Sequence, residues 1–115
     1  MTDNELNRDI HALLGWIPDE GLGGFWHPDR PEQTALPDYC NDHGAALRLL
    51  EHVLTQTYKE TYVFEVNNID HWYRDMWHVC IAAGPCDSWQ GEAPKLPRAL
   101  AEACHAAWRH VEAST

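Results

Sequence analysis

Midway along the chain the apolar residues change their spacing. Ala46, Leu47, Leu50, Val53 and Leu54 recur at three and four residues and form the stripe of an amphipathic helix. Asn41 or Asp42 supplies its N-cap, and the pattern ends near Tyr58. From Thr61 the period becomes two, with Tyr62, Phe64 and Val66 on one side and Val63 and Glu65 on the other, which predicts a strand. A second alternating run sets Trp77, Val79 and Ile81 against His78, Cys80 and Ala82. The turn chemistry of Asn67-Asn68-Ile69-Asp70 lies between the two runs, so they are expected to pair antiparallel.

Helical spacing returns at both ends of the chain. Thr2 and Glu5 have the spacing of a capping box, followed by Leu6, Ile10, Leu13 and Leu14 on one face. Asn7, Arg8, Asp9 and His11 fall around the rest of that helix, and Gly15 stops it. The last helix opens at Leu96-Pro97 and buries Leu100, Ala103, Cys104, Ala107 and Val111. Pro18, Pro28, Pro31 and Pro37, with Gly21, Gly23 and Gly24, break the stretch from Trp16 to Tyr39 into a long structured loop with a short strand at Gly24 to His27. Gly84-Pro85 ends the second strand, and a polar stretch then runs to the last helix. The expected class is α+β, in the order α-(loop/short β)-α-β-β-α. A small antiparallel sheet is packed between helices as an α/β/α sandwich, in one domain over residues 1–115.

Eighteen Asp and Glu against eight Lys and Arg give a formal charge of −10. A field of that sign repels polyanions, so direct binding to DNA, RNA or an anionic membrane is not expected. A compact anionic nucleotide is a different matter, because an Arg and a few N–H groups at contact distance outweigh a salt-screened far field. No apolar run spans a bilayer, and Met1-Thr2-Asp3-Asn4-Glu5 lacks the basic and apolar regions of a secretory signal, so the expected compartment is the cytosol. Cys40, Cys80, Cys86 and Cys104 are then expected to be thiols.

Several short motifs resemble the phage ABA-sandwich domain of small phage and prophage proteins. They are Leu14-Gly15-Trp16 at the end of the first helix, and Pro37-Asp38-Tyr39, Asn41-Asp42 and Ala45-Ala46 at the start of the second. Ala93-Pro94, Leu96-Pro97 and Ala99-Leu100 open the last helix, and Ala103-Cys104 and Ala106-Ala107 continue it. The resemblance covers most of the chain in element order. It implies helices about a sheet and a phage or prophage origin, and it carries no set of catalytic residues.

Eight His and four Cys raise the question of a metal site, but Cys40 with His43, Cys80 with Cys86, and Cys104 with His105 do not form the paired blocks of structural zinc. No metal site and no cofactor are expected. Asp70-His71 are neighbours on a strand and point to opposite faces, and neither Ser88 nor Thr61 has the setting of a nucleophile, so no catalytic residue is assigned. Gly21-Leu22-Gly23-Gly24 lacks the Lys-Ser/Thr ending of a phosphate loop and reads as a turn. Trp16, Trp26 and Trp77 have places in the core or the loop that covers it. Trp72, Tyr73 and Trp89 stand in polar surroundings near Arg74, and together these four form the candidate ligand site: aromatic faces to stack a base and a guanidinium to meet phosphate.

Two functions follow. Small phage domains of the kind this chain resembles include counter-defence proteins that sequester nucleotide-derived immune signals, which implies a non-enzymatic, oligomeric protein with an aromatic-lined, arginine-bearing pocket. Alternatively, the acidic surface engages a basic host protein, as an inhibitor of a defence complex would. A ligand-free structural or packaging accessory is the third reading.

Overall fold

The computed structural model describes the backbone except at residues 22, 58–61, 72–73, 84–86 and 115. The side chains at 31, 55–57, 62–71, 74–75, 83, 87 and 110–114 are also outside the description. The fold is α+β, with helices α1 (Asp3–Leu13), α2 (His43–Thr57) and α3 (Leu96–Ser114) and two antiparallel sheets.

Helix α1 starts where its cap predicts, with Thr2 Oγ1 accepting from the Glu5 N–H at 3.2 Å. It ends in a Schellman turn, in which the Trp16 N–H donates to His11 O at 3.2 Å and the Gly15 N–H to Ala12 O at 3.0 Å. Gly15 has φ +94°, which a side chain resists, and an added Cβ would stand 2.8 Å from His27 Nε2. Asp42 caps α2 through Oδ1, which accepts from the Gly44 N–H at 2.9 Å. Ala45, Ala46, Leu49, Leu50 and Val53 are buried along α2, whereas Leu47, placed in the stripe by spacing, is 54% exposed.

The breaker-rich stretch holds more structure than its composition suggests. The expected short strand forms as β2 (Phe25–His27), but it is the middle of a sheet, flanked by β1 (Ile17–Pro18) and β3 (Arg30–Thr34). Prolines normally rule out a central strand, and here Pro18 and Pro31 sit in the two edge strands. Asp19 and Gly24 close the β1–β2 turn, where the Asp19 N–H donates to Gly24 O at 3.0 Å.

The second sheet is formed by β4 (Tyr62–His71), β5 (Arg74–Ala83) and β6 (Asp87–Ala93), in that order. Pairing of β4 with β5 is antiparallel and continuous from Tyr62↔Ala83 to His71↔Arg74. The reversal therefore falls beyond Asn67–Asp70, because ten paired residues per strand outweigh local turn propensity. The third strand is a correction: the polar stretch after Gly84-Pro85 forms β6, with Trp89 opposite Ile81, Gly91 opposite Val79 and Ala93 opposite Trp77. Its alternation is genuine, but its inward residues include Gly91 and Ala93, which carry no β-branched or aromatic signal.

Those small residues let α3 lie almost on the sheet. A Cβ at Gly91 would be 2.1 Å from Ala99 O and 2.8 Å from Ala103 N. Helix α3 packs against β5 and β6 on that side and presents its remaining faces to α1 and α2. It is accordingly buried around much of its circumference, at Ala99, Leu100, Ala101, Ala103, Cys104 and Ala107. The result is an α+β sandwich in which α3 is the layer shared by sheet and helices. Cys40, Cys80 and Cys104 are free thiols, and burial pushes Cys104 up to about 12; Cys86 lies outside the described residues. No helix among the described residues is long and apolar enough to cross a membrane.

Candidate functional site

The α1 face that spacing marked as polar is partly internal. Asn7 is 5% exposed and His11 is 2% exposed, against the expectation that both lie around the solvent side. Asn7 earns its position by bonding: its Oδ1 accepts the Cys40 N–H at 3.2 Å and its Nδ2 donates to Asp38 Oδ1 at 3.0 Å. His11 Nδ1 lies 2.9 Å from the Tyr39 hydroxyl, and its Nε2 lies 3.5 Å from Thr34 Oγ1. Burial lowers the His11 pKa to about 4, so the ring is neutral at pH 7, and burial pushes Tyr39 up to about 12. The pair joins α1 to the segment that leads into α2 without placing a charge inside.

Above this pair the chain forms an open cleft of about 640 Å³, a size suited to one small-molecule ligand. Its aromatic wall is ordered. The Trp16 ring lies parallel to His11, with centroids 5.1 Å apart and planes 3° from coplanar, and His27 meets Trp16 edge-on at 5.2 Å. Phe25 closes on the edge of His11 from β2 at 4.8 Å. The Schellman turn is what aims Trp16 into this stack, immediately after Gly15. His27 Nδ1 accepts the Asp29 N–H at 3.0 Å, which fixes the ring at the cleft wall.

The charged side of the cleft comes from β3 and α2. Arg30 Cζ stands 6.0 Å from the centroid of the Trp16 ring. Arg48 and His52 line the same cleft one helical turn apart on α2. Burial, with a smaller contribution from the Arg30 charge, holds the His52 pKa below the usual imidazole range. The Arg48 charge opposes the larger effect of burial on Tyr39. Among the described residues neither Arg30 nor Arg48 forms an ion pair, whereas Arg98 is held by Asp3 and Glu102 at the other end of the helical layer. Asp29 is the one carboxylate among the described lining residues.

This arrangement can bind: it offers flat aromatic surface and two guanidinium groups. It differs in place from the site proposed on sequence grounds. Trp72 and Tyr73 lie outside the described residues. Arg74 opens β5 at the end of the β4–β5 hairpin, opposite His71. Trp89 sits on β6 opposite Ile81 and packs against the core. Seven residues of strand separate position 74 from position 81, roughly 23 Å at about 3.3 Å per residue, so the structure does not bring Arg74 and Trp89 together.

The cleft residues escaped sequence reasoning because five separate segments contribute them and no two of the key groups form a motif. The accessible signal was Arg48 with His52 at helical spacing, flanking a stripe that otherwise reads as core. Among the described residues no three His, Cys, Asp or Glu groups converge on a point that could hold a metal ion. Comparison with known proteins finds no matching family model, no matching curated protein and no matching solved structure.

Proposed function

We propose that this chain is a non-enzymatic phage or prophage accessory protein of the ABA-sandwich type, acting in the host cytosol, whose cleft sequesters a small nucleotide-derived immune signal. The observation that supports this reading is chemical: Trp16, Arg30 and Arg48 line one cleft in a chain whose net charge is −10. An acidic protein has no general attraction for anions, so local guanidinium groups beside an aromatic wall favour a compact ligand over a polyanion. Stacking on Trp16 would bind the base, and the arginines would meet its phosphate. The neutral His11–Tyr39 pair supports holding rather than turnover, since it is buried and its hydrogen-bonding capacity is used internally.

The test is thermal denaturation against a panel of linear and cyclic nucleotides and ADP-ribose isomers. A ligand at about a hundredfold over its Kd adds roughly 2.7 kcal/mol to stability, which is visible as a melting shift. The expected result is a shift that Arg48→Gln abolishes, with the ligand recovered chemically intact after denaturation. No shift across the panel, or recovery of a cleaved ligand, would reject the proposal.

A further inference from the structure

We infer that the ligand of this cleft carries two negative charges on one phosphate group or on a pyrophosphate, rather than the single charge of a phosphodiester; this rests on the nucleotide-binding reading above. Two guanidinium groups on separate elements set the charge count. Arg30 projects from the β3 edge beside Trp16, and Arg48 from α2 beside Tyr39 and His52. Neither has an ion-pair partner among the described residues. Asp29 is the sole described lining carboxylate, and it follows His27 on the turn before Arg30.

Among the described residues no carboxylate forms an ion pair with either arginine. The sign of their influence is already visible within the protein. Arg30 disfavours protonation of His52, and Arg48 acts on Tyr39 in the direction that favours an anion. A monoanionic diester could neutralise only one guanidinium group. A dianionic terminal phosphate, or the two singly charged phosphates of a pyrophosphate, could pair with both, each through charge-assisted bonds. Discrimination of this kind is a difference of affinities: the monoanionic diester gains the attraction of one arginine, and the dianion gains that of both.

An adenine series holds the stacking group constant while the charge changes. Titration calorimetry with AMP, ADP-ribose, 3′,5′-cyclic AMP and adenosine at pH 7.5 and low salt compares phosphate charge on a shared adenosine. The expected result is that AMP or ADP-ribose binds at least tenfold more tightly than cyclic AMP, and that Arg30→Gln and Arg48→Gln each remove most of that advantage. The tighter of AMP and ADP-ribose identifies whether a monoester or a pyrophosphate is the preferred group. Both arginines are exposed, so melting curves of the unliganded variants verify that they remain folded. Cyclic AMP binding as tightly as AMP and ADP-ribose would overturn the charge inference while leaving the nucleotide-binding reading intact. Binding by none of the four would also overturn it, and the wider nucleotide panel then decides the reading on which it rests.

Discussion

The two sides of α3 face different kinds of protein chemistry. On the β6 side, contact is made through Gly91, Ala99 and Ala103, with backbone lying almost on backbone. On the side of the cleft, the buried set includes Asn7, His11 and Tyr39, each tied to a polar partner in another segment. Close packing of small residues leaves no room for a ligand and no reason for one. A polar interior joined by hydrogen bonds keeps shape without filling every space, and the cleft lies above it. The cleft thus lies on the side where the protein holds its buried polar groups.

Three perturbations test that division. The largest effect is expected at Gly91→Ala, because the new methyl meets the backbone at Ala99 and Ala103, which cannot turn aside as a side chain does. Overpacking of this kind costs about 3 kcal/mol, read as a lowered denaturant midpoint, and a wild-type midpoint would contradict the close contact. Next comes Asn7→Ala, which strands the buried Cys40 N–H and removes a bond to Asp38, for a loss of about 2 kcal/mol. Stability equal to wild type would mean that the polar side of the molecule is not held in this way.

The smallest effect concerns pH. His11 is held neutral to about pH 4 in the folded chain, while an unfolded histidine takes up its proton near 6.5. The unfolded state therefore binds more protons across that window, and stability falls as pH drops from 7 to 5, by about 1–2 kcal/mol from this residue. Urea melts of wild type and His11→Asn at the two pH values separate this contribution from that of the carboxylates. The difference between the two proteins should shrink as pH falls, and a constant difference would remove His11 as the source.

How much of this was legible in the sequence depended on what each element used as its signal. Helices α1 and α2 and strand β5 bury branched residues at regular spacing, and that spacing survives in the sequence. Strand β6 buries Gly91 and Ala93, which announce nothing on their own, and β1 and β3 carry prolines that mark them as loop. The site was harder still. Trp72, Tyr73, Arg74 and Trp89 drew attention as aromatic and basic residues close in sequence, but binding surfaces are assembled by proximity in space. Arg30 and Arg48 look like ordinary solvated charges until β3 and α2 are placed beside one cleft. His11 looked solvent-facing because helix periodicity registers the main apolar stripe and not the polar residues a neighbouring segment can cover.

Trp108 gives the molecule a dependence on the order of synthesis. Its indole N–H donates to Leu13 O at 2.8 Å, across 95 residues of sequence, and its ring lies 5.1 Å from His52. The segments that line the cleft all precede it on the ribosome, yet the tie between the end of α1 and the middle of α2 waits for α3. A nascent chain can hold every cleft residue and still lack the brace that sets their separation. The brace between α1 and α2 is therefore complete only once α3 has been made and has packed.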